Sequence, residues 1–205
     1  MTRRAQAVDA TRRRIVEATV AAHRDLGIQA TSWEEIARRA GVGVGTVYRH
    51  FRSLDELLPA CGELVATTLA LPTEDDLPAL FDGARSTRAR IERLVGEVFA
   101  IYERGAAFIE NVRRERKVLP QLEGWHREIT TVLDTLTRTA LAPIETDEEA
   151  IDVTRALVDL TTWKAFRDQG LSPERTADTV VGLIECSLRS RRRSGSPRSS
   201  EWSAG

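Results

Sequence analysis

The sequence predicts an all-α protein in which a three-helix N-terminal domain precedes a larger helical domain. Three observations lead to this fold class. Apolar residues recur at intervals of three and four residues, the spacing that places them on one face of a helix. No segment alternates apolar and polar residues for long enough to predict a strand. Proline and glycine separate the apolar stripes, as expected at turns between helices.

The N-terminal domain, residues 1–60, opens with a helix that is predicted to end at Gly27. Glycine readily adopts the left-handed conformation that closes many helices, so Gly27 suits the position after the last turn. The apolar face of this helix consists of Ile15, Ala18, Ala22 and Leu26.

A second helix is predicted to begin after Ser32. Ser32 and Glu35 have the spacing of a capping box, in which each side chain accepts a hydrogen bond from a free backbone amide at the helix start. Gly41 is expected to end the helix with a sharp turn. The small Ala37 allows the next helix to pack closely across it.

The third helix is predicted from about Val44 to Phe51. Val47 and Phe51 are four residues apart and share the inward face, whereas Tyr48 and Arg49 project from the opposite one. A helix this short is not stable alone, so the two preceding helices must hold it. This arrangement is a helix-turn-helix unit, whose exposed last helix reads DNA.

The larger domain, residues 61–188, contains further apolar stripes at helical spacing. The segment between Glu148 and Gln169 and the last helix, to Leu188, are apolar on two sides, which predicts burial on two sides. Residues 189–205 contain little that can be buried, so we expect a largely disordered basic tail. The remaining stripes are Ile91, Leu94, Val95, Val98 and Tyr102, and then Leu122, Trp125, Ile129, Val132, Leu136 and Ala140.

Charge is unevenly distributed, although the formal net charge of the chain is only −1. The N-terminal domain carries +3, the larger domain −8 and the tail +4. A basic head beside an acidic body predicts a polyanionic partner for the head.

Other features constrain the class of protein. Cys61 and Cys186 have no second cysteine or histidine at ligand spacing, so both are interpreted as small buried residues of a reduced protein. The sequence contains no signal peptide and no run of eighteen apolar residues, which predicts a cytoplasmic protein without a membrane partner. We expect no metal, no other cofactor and no enzymatic activity.

The N-terminal segment resembles the DNA-binding domain of the tetracycline-repressor-like (TetR) family of bacterial transcriptional regulators. The resemblance covers about a quarter of the chain and implies a DNA-binding regulator, typically a homodimeric repressor that a small-molecule effector releases from its operator. The matching residues are the opening helix, Glu-Ile-Ala-x-x-Ala-Gly-Val, Gly-Thr-Val-Tyr-Arg-His-Phe and the following Ser-Leu-Asp-Glu-Leu-Leu.

Seven residues are predicted to contact double-stranded DNA. Arg49 suits bidentate recognition of guanine, and Val44 suits contact with a thymine methyl group. The free amides at the start of the second helix, beside Ser32, can bind a phosphate. The resemblance implies the rest of a set that comprises Ser32, Val44, Gly45, Thr46, Tyr48, Arg49 and His50, with Thr46, Tyr48 and His50 at phosphates.

Two features of this surface leave alternatives open. Gly45 lowers helix propensity by about 1 kcal/mol relative to alanine, and either close approach of the backbone to DNA or simple tolerance explains it. Leu54 stands where the family commonly has a lysine that supports phosphate binding. The missing cation is expected from Arg52 or from a basic N-terminal arm, unless that arm is only solvated. The arm comprises Arg3, Arg4, Arg12, Arg13 and Arg14.

The larger domain is interpreted as the effector-binding and dimerisation domain. Reading two half-sites requires a two-fold partner that spaces the third helices by about one turn of DNA, ~34 Å. The two doubly apolar helices are the predicted interface, and a monomer that buries both is the alternative. Side chains expected to line an apolar effector cavity are Phe99, Tyr102, Phe108, Trp125, His126 and Trp163, each of which also suits a core.

Two other function classes have less support. An enzyme that uses the helix-turn-helix for targeting, such as a recombinase, needs clustered carboxylates or a supported nucleophile, and the sequence offers no convincing set. A small-molecule binding protein with a weakened DNA-binding module is favoured by Leu54, but the intact Tyr48, Arg49 and His50 favour DNA binding.

Overall fold

The computed structural model describes residues 3–144 and 147–194, with side chains for residues 5–144 and 147–191. These residues form ten α-helices and no strand, which confirms the predicted all-α class. None of these helices is both long enough and apolar enough to cross a membrane. The helices are α1 Arg3–Leu26, α2 Trp33–Ala40, α3 Val44–His50, α4 Leu54–Leu69, α5 Leu77–Phe81, α6 Thr87–Glu115, α7 Glu123–Leu141, α8 Glu148–Leu157, α9 Leu160–Asp168 and α10 Pro173–Ser194.

The chain packs into two compact units. Among the described residues, the first combines those up to Pro72 with Ala100–Val132, and the second combines Thr73–Phe99 with those from Leu133 onward. Helices α6 and α7 each contribute residues to both units. The first unit therefore contains the three predicted N-terminal helices together with α4, the C-terminal part of α6 and the first half of α7. The functional boundary at residue 60 stays a prediction.

The N-terminal helices pack around one apolar cluster. Its central side chains, Ile15, Val47, Phe51 and Leu57, are at most 1% exposed. The left-handed cap at Gly27 is confirmed by its φ of +92°. The predicted face of α1 is wrong at its end, because Leu26 is 46% exposed.

The second unit differs from its predicted helices between residues 148 and 169. A continuous two-sided helix was expected, but α8 ends at Leu157 and α9 begins at Leu160. Asp159 causes the interruption, since its carboxylate accepts a hydrogen bond from the amide of Thr161 at 2.8 Å and caps α9. The polar residue that breaks the helix thus starts the next one.

The last helix also differs from its predicted end. Helix α10 continues past Leu188 to Ser194, so the prediction of disorder is wrong for Arg189–Ser194. Arg191 stabilises this extension, because its guanidinium lies 3.4 Å from Asp147 and 2.5 Å from Glu149 at the start of α8. Residues 195–205 lie outside the described residues.

The two cysteines differ in exposure. Cys61 is buried, as predicted, and burial raises the pKa of its thiol to about 12. Cys186 is exposed on α10, so its predicted burial is wrong. It lies on the outer side of a helix whose opposite side carries the buried Val180 and Ile184.

Candidate functional site

The turn between α2 and α3 is built by local hydrogen bonds. At the start of α2, the Ser32 hydroxyl accepts a hydrogen bond from the amide of Glu35 at 3.1 Å. At its end, Gly41 has a φ of +64°, and the amide of Val42 donates to the Ala37 carbonyl at 3.1 Å. The left-handed residue reverses the chain as predicted, and α3 begins at Val44.

The predicted capping box is only half formed. The Glu35 carboxylate accepts hydrogen bonds from Arg38 at 2.7 Å and from Arg39 at 2.6 Å instead of reaching back to the start of the helix. Arg39 also pairs with Asp25 on α1 at 2.6 Å. These hydrogen bonds lower the pKa of Glu35 to about 2, so the carboxylate stays charged and ties α2 to α1 at neutral pH.

Helix α3 presents one buried and one exposed face. Val47 is fully buried, whereas Tyr48 is 46% exposed and Arg49 is also exposed. The Thr46 hydroxyl accepts a hydrogen bond from the Arg49 guanidinium at 3.2 Å, which orients the arginine along the helix. Val44, Thr46 and His50 are half-buried.

Gly45 is exposed on α3 and has open space around it. A Cβ added there would meet no atom within 4 Å. Packing inside the chain therefore does not require glycine at this position. The absence of a side chain would matter only to a molecule that approaches the helix from outside.

Trp33 is a member of this surface that the sequence reasoning missed. Its ring lies 5.0 Å from that of Tyr48, centroid to centroid, with an angle of 31° between the planes. This contact holds the exposed tyrosine from the first turn of α2. An aromatic residue directly after the capping Ser32 was the signal available in the sequence.

Leu54, which stands where the family commonly has a lysine, packs against an apolar cluster. Leu54, the first residue of α4, is half-buried against a cluster that includes Ile28, Leu58 and Val112. Neighbouring Arg52 is exposed, and its backbone amide donates to Glu56 at 2.8 Å. The side chain of Arg52 is thus available at this end of α3.

The predicted basic arm is helical from its third residue. Arg12, Arg13 and Arg14 lie within α1, and the Arg12 guanidinium sits 4.8 Å from the centre of the Phe51 ring. Arg12 therefore supports the three-helix core by a cation–π contact. The side chains of Arg3 and Arg4 lie outside the described residues.

The first unit also contains a cavity of about 340 Å³ between α4, α6 and α7. Phe108 and Trp125 line it, with their ring centroids 5.3 Å apart. Gly62, Glu63 and Glu128 line it as well, and sequence reasoning missed all three. A glycine and two exposed carboxylates carry no periodic signal that distinguishes a cavity from a surface.

The other predicted effector residues lie elsewhere. Tyr102 is 1% exposed in the first unit and does not line this cavity. Phe99 and Trp163 are buried residues of the second unit. His126 is half-buried on α7, where burial lowers the pKa of its imidazole. The structure thus brings together two of the six residues, Phe108 and Trp125.

Two close contacts hold α4 beside the cavity. At Gly62 the indole of Trp125 lies against the backbone, since an added Cβ would be 1.6 Å from its Cζ2. At the end of α4, Leu69 packs on Gly105, where α6 leaves helical geometry, and an added Cβ would be 2.2 Å from the leucine. Arg104 strengthens this second contact by donating to the Leu69 carbonyl at 2.9 Å.

The C-terminal part of α6 is bonded to the end of α1 and to the turn that precedes α2. Asn111 donates to the His23 carbonyl at 2.7 Å, and the buried Glu115 accepts a hydrogen bond from the amide of Gln29 at 2.8 Å. Burial lowers the pKa of His23 to about 4, against an opposing effect of Glu115, so the imidazole is neutral at pH 7. Helix α6 therefore contacts both the cavity and the helix-turn-helix.

Residues 15–61 match the family model of bacterial regulatory proteins of the tetR family. The N-terminal helix-turn-helix of this chain is thus similar to the DNA-binding domain of TetR-family regulators. It is 36% identical over 84 residues to the HTH-type transcriptional regulator BetI of Pectobacterium carotovorum, a match that covers 41% of this chain and 42% of that protein. The BetI of Escherichia coli K12 is 33% identical over 88 residues, which cover 43% and 44% of the two chains. The chain thus matches less than half the length of these curated relatives.

Solved structures share the fold of this chain. A Rhodococcus sp. protein assigned to the TetR-family transcriptional regulators has a TM-score of 0.62 at 19% identity, covering 87% of this chain and 99% of its own. A transcriptional regulator from Rhodococcus sp. Rha1 has a TM-score of 0.60 at 23% identity, covering 87% and 96%. At these identities the likeness concerns the fold, which is the all-α TetR arrangement with an N-terminal helix-turn-helix.

Proposed function

We propose that this chain is a transcriptional regulator of the TetR family, and that it acts as a homodimeric repressor which a small-molecule effector releases from its operator. The observation that carries the proposal is the exposed face of α3, where Tyr48 and Arg49 project from a helix clamped by its neighbours. A rigid reading helix loses little conformational entropy when it enters the major groove.

The exposed residues of α3 have distinct roles in this proposal. Arg49 reads guanine, because its guanidinium can donate two parallel hydrogen bonds to one base edge. Tyr48, supported by Trp33, donates its hydroxyl to a phosphate, and the amides at the start of α2 bind another. Arg52 supplies the cation that Leu54 does not.

The proposed dimer uses the outer side of α10. Residues spaced by three or four positions expose a narrow apolar stripe there, in which Leu183 is 43% exposed. The stripe is rich in small residues, which allow two helices to approach closely. It consists of Thr179, Gly182, Leu183 and Cys186. A two-fold copy packed on it would give the protein two reading helices, one from each subunit.

Effector release follows a continuous path within the first unit. A ligand in the cavity displaces Trp125 from Gly62 or shifts the joint between Leu69 and Gly105, and α6 transmits the change to the end of α1 through Asn111. A ligand lowers operator occupancy if it binds more tightly to the arrangement of the protein that does not bind DNA.

The proposed function is tested by sequencing the DNA fragments that the purified protein retains from a random pool. We expect an inverted repeat whose half-site centres are about 34 Å apart or a multiple of this distance. Arg49→Ala should lower specific affinity by about 1–3 kcal/mol and relax the preference at one base pair, whereas Tyr48→Phe should weaken all sequences evenly.

Arg127→Ala, on the exposed part of α7, is the matched control and should change neither the affinity for DNA nor the base preference. Equal losses by Arg49→Ala and Tyr48→Phe on selected and random DNA would contradict the division of roles. Retention of no DNA at all would instead favour the second candidate, a small-molecule binding protein with a weakened DNA-binding module, which the apolar setting of Leu54 supports.

A further inference from the structure

We propose that the cavity between α4, α6 and α7 binds an organic cation with an apolar body. The proposal names the chemical class of the effector and therefore rests on the proposed function. The charge, the aromatic lining and the size of the cavity support it.

The charge of the lining is of one sign. Glu63 projects from α4 and Glu128 from α7, and both line the cavity. Every other lining residue is an apolar side chain or glycine, so the cavity contains two carboxylates and no basic group. An anion that entered would approach two like charges, whereas a cation would gain two opposite ones.

Both carboxylates are available for such a ligand. Within the described residues, neither Glu63 nor Glu128 forms an ion pair, in contrast to Glu123 on the same helix, which lies 3.0 Å from Arg116. Both are exposed, which places their charges at the mouth of the cavity rather than at its floor. A ligand cation would therefore not have to displace an internal arginine.

The aromatic lining suits the same ligand class. Phe108 and Trp125 form a tilted pair with centroids 5.3 Å apart, and both line the cavity. Ring faces carry negative partial charge and attract cations, indole most strongly. The aliphatic side chains of Val65, Leu69 and Ile129 provide the surface for the apolar body.

The neighbouring cavity does not offset this charge. It measures about 130 Å³ and shares Val65, Leu69 and Phe108 with the larger one, but it is lined by Arg24 and Arg104. Both arginines already have partners, since Arg24 lies 3.1 Å from Asp25 and Arg104 donates to the Leu69 carbonyl. The larger volume and the unpaired charges thus belong to the acidic cavity.

The volume limits the size of the ligand. A cavity of about 340 Å³ is at the lower end of the range for small-molecule sites, which is roughly 300–1,000 Å³. It suits one aromatic ring with a short chain and a compact ammonium group. We therefore choose 4-phenylbutyltrimethylammonium as the cationic probe, with 4-phenylbutanoate and 5-phenylpentanol as anionic and neutral probes of similar size.

The experiment measures the affinity of the full chain for each probe by isothermal titration calorimetry in the absence of DNA. We expect the cation to bind more tightly than both other probes. Glu63→Gln and Glu128→Gln should each weaken the cation roughly two- to fivefold, the range for solvent-exposed charge pairs, and leave the neutral probe unchanged. Glu17→Gln, an exposed glutamate of α1 outside the cavity, is the matched control and should change none of the affinities.

Three results would overturn the proposal: equal or tighter binding of 4-phenylbutanoate, unchanged cation affinity in the double glutamine variant, or no binding of the cation at millimolar concentration. Operator binding is measured separately with the selected DNA. Loss of DNA binding alone would contradict the proposed function and leave the cation site standing. Loss of cation binding alone would overturn the site and leave the DNA-binding function standing.

Discussion

At Gly45, one substitution is expected to have opposite effects on the stability of the chain and on its affinity for DNA. Because an added Cβ meets no atom within 4 Å, Gly45→Ala should raise the free energy of unfolding by up to about 1 kcal/mol through helix propensity. If the backbone of α3 approaches DNA closely at this point, the same methyl group should weaken operator binding at least about fivefold, the effect of 1 kcal/mol or more. Urea unfolding and fluorescence anisotropy with labelled operator measure the two effects.

Gly96→Ala is the matched control, since Gly96 is exposed on α6 with equally open surroundings. It should stabilise the chain without changing operator affinity. Unchanged operator affinity in Gly45→Ala would mean that the helix merely tolerates this glycine.

His23 predicts a dependence of stability on pH. Burial lowers its folded pKa to about 4, below the usual 6.5, so the unfolded chain takes up a proton that the folded chain does not. The contribution of this histidine to the free energy of unfolding is fully present above pH 6.5. It is lost as the pH falls toward 4, with a slope of at most about 1.4 kcal/mol per pH unit. The free energy of unfolding should therefore decrease between pH 7 and pH 5.

The His23→Gln variant isolates this effect from the carboxylates that titrate at lower pH. Its free energy of unfolding should be lower than that of the wild type at pH 7, and the difference should shrink toward pH 5. A constant difference between the two proteins across this range would show that His23 is not the titrating group.

The orientation of side chains was predictable where local periodicity controls it and unpredictable where several polar partners compete for one group. Val47 and Phe51 lie inward, and Tyr48 and Arg49 outward, because one short helix has only one packed side. The orientation of Glu35 depends on Arg38 and Arg39, which offer its carboxylate charged donors in place of the backbone amide. Sequence spacing alone does not decide between these competing partners.

At the scale of elements, the contact between α4 and α7 depends on the absence of a side chain at Gly62. Gly62→Ala would place a Cβ 1.6 Å from the Trp125 indole, so the helices must separate or the ring must turn. We expect a loss of about 1–3 kcal/mol in the free energy of unfolding, the usual cost of overpacking. In a Trp125→Leu background the same change should be neutral or stabilising, and a double-mutant cycle from urea unfolding measures the coupling.

Gly124→Ala on α7 has open space and serves as the control that gains helix propensity without a clash. Additive effects of Gly62→Ala and Trp125→Leu would contradict a direct contact between the two positions.

Most helices could be placed from their apolar stripes, while their ends depended on specific side chains. The break between α8 and α9 follows from Asp159, an acidic residue that sequence patterns allow in the middle of a helix as readily as at a cap. The extension of α10 follows from Arg191, whose partners Asp147 and Glu149 are distant in sequence. The cavity between α4, α6 and α7 was likewise unpredictable, because it depends on how the helices of the first unit pack.

At the scale of the molecule, the proposed dimer makes a prediction that does not depend on DNA or ligand. Gly182 lies on the exposed stripe of α10 with no atom within 4 Å of an added Cβ, so Gly182→Arg fits the isolated chain and gains up to about 1 kcal/mol of helix propensity. A charged side chain at a two-fold axis would face its own copy, where it is desolvated and repelled. Size-exclusion chromatography with light scattering should therefore show a dimer for the wild type and a monomer of 22.8 kDa for the variant. Gly96→Arg, at an open position on α6 that is not part of this stripe, should stay dimeric. A dimeric Gly182→Arg protein would place the interface elsewhere, and a monomeric wild type at micromolar concentration would contradict the dimer itself.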